Sequence, residues 1–287
     1  MVLIGGYGYL IYRLLHFEGY ATLLASTHAR CVGQVVALVL CVGMMVPNYL
    51  LEARKWQTIL SGEGSLRLTQ AWKGVLYGNI GAFVTPYRAG DIPSRLLQLP
   101  PDFSRQHALG LGLYAGVIQT MVIVLLGMVP ALLFLEQSEW HYLTWLMGAV
   151  PVGIGLWIWL HRQKRAEWLH LSREQYLHLF TACTVRYLCW ICQLALVMYF
   201  LGIDLTPNIV FVGLPTYYLL VSVTPNMPAA DAGIRGSWAV FVLSRFGVAV
   251  PLAATAAIGL WLVNTLLPIL LYPLTTRVKH NTPDTQP

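Results

Sequence analysis

Apolar residues in this chain gather into long unbroken runs, near 2–15, 31–52, 106–135, 141–161, 174–201 and 250–273. A helix needs about 20 apolar residues to cross the hydrocarbon core of a bilayer, and several of these runs approach or exceed that length. A transmembrane barrel would instead show short segments of alternating polarity. Two further apolar segments, 71–100 and 208–246, are interrupted by Pro and Gly. The pattern predicts an all-α integral membrane protein with eight apolar segments: about six transmembrane helices plus two broken ones. Composition agrees, because 57% of residues are hydrophobic and only 10% are charged, against about 25% charged in a soluble domain. The first run has no small-residue cleavage site after it, so it reads as a retained helix rather than a signal peptide.

Charge sets an expected orientation. Stretch 53–72 carries Arg54, Lys55 and Arg67, stretch 162–173 carries Arg162, Lys164, Arg165 and Arg173, and the tail carries Arg277 and Lys279. Stretches 136–140 and 202–207 carry only Glu136, Glu139 and Asp204. The positive-inside rule puts the basic stretches in the cytoplasm and the acidic ones outside. Segment 71–100 then begins and ends on the cytoplasmic side, and 208–246 begins and ends outside. Each reads as a re-entrant hairpin, turning at 85–90 and 224–230. Three crossings separate them, so they enter from opposite faces. The expected organisation is a single membrane domain over 1–287, with a first repeat at 31–135, an inverted second repeat at 174–273 and a polar cytoplasmic tail at 274–287. Paired, Pro/Gly-interrupted segments in corresponding halves point to a transporter's binding site. The alternative reading is two ordinary kinked helices, with Arg245 marking a cytoplasmic loop.

The two broken segments repeat one polar phrase. Val84-Thr85-Pro86 leads to Asp91 and Arg95, and Val223-Thr224-Pro225 leads to Asp231 and Arg235. An Asp and an Arg four residues apart share a helix face and can pair. Each Asp follows Pro and small residues, which suits a carboxylate near the start of a returning half-helix. Charges at membrane depth cost at least about 2.5–3.5 kcal/mol each on insertion scales, so they pair or line a cavity. Two roles fit the pairs: pinning the hairpin tips, or holding a ligand. Arg88, Arg95 and Arg235 outnumber Asp91 and Asp231, and a planar guanidinium suits a phosphate. Arg186 sits deep in an apolar run, too far in to snorkel easily, and seeks Asp91 or Asp231. Asn48, Glu52 and Asn79 are supporting polar positions, with Thr85 and Thr224 in the tips. Arg54 and Lys55 are expected at headgroup level, and Trp56, Trp72, Trp140 and Tyr142 in an aromatic belt.

Other chemistry is poorly supported. The net charge of +6 comes from scattered basic residues, which suits cytoplasmic loops and anionic lipid rather than nucleic acid. Cys189 and Cys192 have redox-like spacing but lie inside an apolar run with no βαβ context. The eight His lack ligand spacing, so no metal or cofactor is expected. No P-loop or Ser-His-Asp set appears. Gly110 and Gly112 suit close helix packing.

At the polar positions the chain resembles the flippase-like membrane region of lysylphosphatidylglycerol synthases, a region also found as stand-alone membrane proteins. The resemblance rests on Asn48 followed by Arg54-Lys55-Trp56, on Gly78-Asn79, and on Pro86-Tyr87-Arg88-Ala89-Gly90-Asp91 with Arg95 beyond. Pro225, Pro228, Asp231 and Gly233 match its later tip loosely, without the usual Gly-Gly-x-Gly. It implies a bacterial inner-membrane protein that moves or binds an anionic or aminoacylated phospholipid, with no soluble synthase domain. The expected function is lipid translocation without catalysis, through a headgroup site of Arg88, Asp91, Arg95, Arg186, Asp231 and Arg235. Two rivals remain: a membrane-embedded lipid-linked transferase with Asp91 or Glu52 as base, disfavoured by the lack of an acidic metal-binding pair, and a non-catalytic membrane partner of a cytoplasmic enzyme.

Overall fold

The computed structural model describes residues 2–18, 31–136, 171–224 and 228–277. The expected helix at 141–161, most of the basic stretch after it, and the end of the tail lie outside these residues. Among the described residues the chain is all helical. Four of the described helices are long and apolar enough to cross a membrane: Val32–Leu60, Arg105–Glu136, Arg173–Phe200 and Val250–Leu270. A shorter apolar stretch covers Ile209–Val223.

Helix α1 spans Val2–Leu15. α2 (Val32–Gly43) and α3 (Met45–Leu60) form one run, broken at Met44. Pro47 is the cause, because its ring nitrogen has no N–H to give to the Gly43 carbonyl. The run continues eight residues past the expected end at 52. Arg54, Lys55 and Trp56 are therefore helical, and Lys55 and Trp56 are buried. This corrects the headgroup-level assignment of Lys55 and the belt assignment of Trp56. Arg54 does face outward.

The first broken segment is a helical hairpin. α4 (Leu68–Val84) ends at Thr85, whose backbone is extended, as expected for a residue before proline. A tight turn over Pro86–Arg88 reverses the chain, and α5 (Asp91–Leu96) packs back along α4. Closure needs glycine. A Cβ on Gly81 would lie 2.0 Å from Ser94 Oγ, and one on Gly78 would lie 2.6 Å from Asp91 Oδ1.

α6 (Arg105–Glu136) and α7 (Arg173–Phe200) match the expected runs to within a residue at each end. A capping box starts α7: Gln175 N donates to Ser172 Oγ, and Ser172 N donates to Gln175 Oε1. The Gln175 amide also donates to Thr58 O and Ser61 Oγ, tying α7 to the end of α3.

In the second broken segment a widened turn at Ile209–Gly213 leads into α8 (Leu214–Val223). Pro215 withholds the N–H that Phe211 O would receive. Thr224 is extended, and α9 (Pro228–Leu243) follows the undescribed 225–227. α10 (Val250–Trp261) runs into a second widened turn, Leu262–Leu266, and then α11 (Leu267–Arg277). Here Pro268 leaves Asn264 O without a helical donor. Tyr49 Oη supplies one at 2.7 Å, and Asn79 Nδ2 donates to the adjacent Thr265 O at 3.0 Å. These two bonds tie the Leu262–Leu266 turn to α3 and α4.

Candidate functional site

A cavity of about 1030 Å³ opens between these helices. Among the described residues, five cations line it: Lys55, Arg88, Arg95, Arg186 and Arg235. The inner wall of α6 adds Gly112, Ala115, Gln119 and Ile123, one helix face. A Cβ on Gly112 would lie 2.8 Å from Ile92 Cγ2, so α5 and α6 meet closely there.

Glu52 is the centre of the charge network. Its Oε1 accepts from Arg95 Nη1 at 2.8 Å, and its Oε2 accepts from Lys55 Nζ at 2.9 Å and from Arg186 Nη1. Arg186 Nε also donates to Asn48 Oδ1 at 2.8 Å, and its guanidinium lies over the Trp190 ring at 4.9 Å. The expected partner of Arg186 was Asp91 or Asp231; the partner is Glu52. The reason is local: α3 packs against α7 at this depth, so the α3 carboxylate is the one within reach. Asp91 is already engaged, its two oxygens accepting from Arg95 Nε at 2.8 Å and Nη2 at 3.1 Å.

Lys55 Nζ donates to Gln119 Oε1 at 3.2 Å, and Gln119 Nε2 donates to Cys183 O at 3.2 Å. An amide cluster lies alongside. Asn48 donates to Gln193 Oε1 at 3.5 Å, Asn264 Nδ2 donates to the same oxygen at 3.0 Å, and Gln193 Nε2 donates to Cys41 O at 3.0 Å. Lys55, Gln119, Gln193 and Asn264 were absent from the expected site. The available signal was a polar side chain inside an apolar run, which turns inward by default.

On the other side, Arg235 Nε donates to Asp231 Oδ1 at 2.6 Å, and Trp261 Nε1 donates to Asp231 Oδ2 at 2.9 Å. Both expected i, i+4 pairs are therefore formed. Asn48, Glu52, Asn79, Arg88, Asp91, Arg95, Arg186, Thr224 and Arg235 all line the cavity. Thr85 and Asp231 are not among the described lining residues; Thr85 holds the turn and Asp231 holds Arg235.

Arg88 differs from the other four cations. Among the described residues it makes no ion pair, and its Nη2 reaches Asn79 Oδ1 only at 3.5 Å. Its backbone φ is +57°, next to Tyr87 at +55°. Two consecutive non-glycine residues in the left-handed region cost about 1–2 kcal/mol each, and such strain collects at ligand clamps. Among the described residues, with Glu52, Asp91 and Asp231 as the carboxylates of the cluster, five cations leave an excess of two positive charges. In a low-dielectric wall that excess attracts an anion.

The model of the lysylphosphatidylglycerol synthase TM region matches residues 1–271, so the chain belongs to that family. It is an integral membrane protein of a lipid-related family. No curated protein matches the chain.

Proposed function

From membership of that family, we propose that the chain is a membrane lipid translocase, without catalysis, that receives the headgroup of an anionic or aminoacylated phospholipid in the cavity. The observation that carries this reading is the charge excess, and Arg88 above all. A guanidinium in the cavity wall that lacks a carboxylate partner among the described residues is suited to the phosphate of a ligand. Arg95, Arg186, Lys55 and Arg235 form the wall that keeps the slot positive, with Glu52, Asp91 and Asp231 holding them in place. The two Pro-bearing tips would belong to inverted repeats, and access would alternate by rocking of one repeat against the other. The protein would sit in a bacterial inner membrane with its C-terminus in the cytoplasm.

The test is transbilayer movement of a fluorescent phosphatidylglycerol in reconstituted vesicles, read by chemical quenching of the outer leaflet. Wild-type protein moves lipid faster than empty vesicles. Arg88→Gln slows movement at least tenfold, in line with the roughly 1.5–3 kcal/mol of a hydrogen bond to a charged group. Wild-type vesicles that quench like empty ones sink the reading.

A further inference from the structure

Most of the cavity wall is buried or half-buried. Among the described residues, the exposed lining positions are few: Tyr87 at 60% and Leu113 at 59% exposure, together with Gly116 and Thr120. Three of these lie on α6 and, with half-buried Val117, occupy positions i, i+3, i+4 and i+7, a single helical stripe. The stripe adjoins the inner α6 face that carries Gln119. The cavity therefore opens outward along α6, with the Tyr87–Arg88 turn and Val221–Ser222 of α8 also contributing to its lining.

What lies outside that mouth follows from depth. Gly116 is eleven residues into α6 from Arg105, roughly 17 Å along the axis at about 1.5 Å per residue. That is near the middle of a hydrocarbon core about 30 Å thick. With α6 crossing the bilayer from Arg105, the mouth would face acyl chains rather than water. Its chemistry agrees: Leu113, Gly116 and Val117 are apolar, and Thr120 Oγ1 donates to its own helix at Gly116 O. A Cβ built on Gly116 would meet nothing within 4 Å, so the groove is open at that point.

We propose that the α6 stripe Leu113–Gly116–Val117–Thr120 is the seat of a phospholipid acyl chain, and that the lipid enters the cavity sideways through this mouth. The proposal rests on the reading of the cavity as a headgroup site. A slot with an excess of positive charge, continuous with an apolar groove at mid-membrane, fits a molecule with an anionic head and a hydrocarbon tail. The same groove has nothing to offer a water-soluble anion.

The experiment compares the purified full-length chain with Gly116→Trp, with Leu125→Trp, an exposed α6 position outside the cavity lining, and with Arg88→Gln. Binding is measured in detergent for dioleoyl phosphatidylglycerol and for chain-free glycerophosphoglycerol. Gly116→Trp weakens binding of the diacyl lipid at least tenfold and leaves the chain-free probe unchanged, while Leu125→Trp changes neither. Diacyl binding by Gly116→Trp equal to wild type overturns the proposal, as does an equal loss for both probes. A wild-type dimer that Gly116→Trp converts to monomer also overturns it, because a second copy then covers the mouth. If Arg88→Gln binds both probes as wild type does, the phosphate seat fails while the acyl-chain result stands separately.

Discussion

The two Val-Thr-Pro tips share a backbone device and differ in charge. In each, the threonine before proline is extended and its Oγ1 donates to the carbonyl four residues back, Thr85 to Gly81 O at 2.7 Å and Thr224 to Leu220 O at 2.6 Å. Each hydroxyl also accepts an N–H, from Gly90 N at 2.7 Å and from Trp238 Nε1 at 2.9 Å. Each Asp holds the Arg one helical turn on. The surroundings then diverge. Asp91 gives both oxygens to Arg95, which also reaches Glu52 and lies over the Trp56 ring at 5.7 Å. Asp231 shares its oxygens between Arg235 and the Trp261 indole. The repeated phrase therefore specifies how a helix ends and turns, and the neighbouring helices decide the electrostatics. The first tip is wired into a buried network of three cations on one carboxylate; the second is held by aromatic N–H groups.

The largest effect expected from this difference is at the carboxylates. Glu52→Gln leaves Lys55, Arg95 and Arg186 short of one shared counter-ion, and breaking a buried pair by removing one partner costs about 3–5 kcal/mol. Asp231→Asn keeps an oxygen for the Trp261 indole and loses its ion pair with Arg235, where Glu52→Gln loses three, so its cost is expected to be the smaller. Thermal unfolding in detergent ranks the two. Equal losses would erase the proposed asymmetry, and a larger loss for Asp231→Asn would reverse it.

Legibility in the sequence followed interaction distance along the chain. The Asp–Arg pairs could be read because i, i+4 spacing fixes both side chains on one face. The ends of α6 and α7 could be read because apolar runs stop where they leave the hydrocarbon. The Glu52 hub could not, because its arginines lie 43 and 134 positions away on other helices. Lys55 departs from expectation for a related reason. A lysine after an apolar run normally snorkels outward, but α3 continues to Leu60, and the i, i+3 spacing turns Lys55 inward beside Glu52. Gln119 and Gln193 are uncharged residues inside apolar runs, and their partners, Lys55 and Asn48, lie 64 and 145 positions away on another helix.

Close approach offers a smaller contrast. A Cβ on Gly78 would lie 2.6 Å from Asp91 Oδ1 and 2.7 Å from Arg95 Cγ, atoms fixed by the ion pair. Gly78→Ala must push α5 from α4, and overpacking of this kind costs about 1–3 kcal/mol. On α9 of the second half, a Cβ on Gly236 would meet Leu10 Cδ2 at 3.0 Å, the far end of a flexible side chain. Gly236→Ala is expected to cost less than about 1 kcal/mol, helped by alanine's helix preference. Unfolding midpoints of the two variants measure the difference. A harmless Gly78→Ala would mean that the first hairpin is not held by the Asp91–Arg95 contact to α4.

The smallest expected effect separates strain from packing within the tips. Tyr87 holds φ at +55° and is 60% exposed, so it has little contact to lose. Glycine reaches that region freely, whereas a side chain there costs about 1–2 kcal/mol. Part of that relief is returned, because glycine makes the unfolded chain more flexible by about 0.4–1 kcal/mol. Tyr87→Gly should therefore stabilise the protein by up to about 1 kcal/mol, a rise of roughly 2–4 °C in the unfolding midpoint for a chain of this order of size. Val223, just before Thr224 at the end of α8, supplies the unstrained contrast: it is 47% exposed and has ordinary helical geometry. Val223→Gly should lower stability, by about 0.5–1 kcal/mol or somewhat less for a residue other than alanine. Opposite signs would identify the first tip as a turn held under strain by its own helices. A loss in both would mean that the Tyr87 side chain contributes more than its exposed ring suggests, and the strain assigned to the Arg88 turn would have to be revised downward.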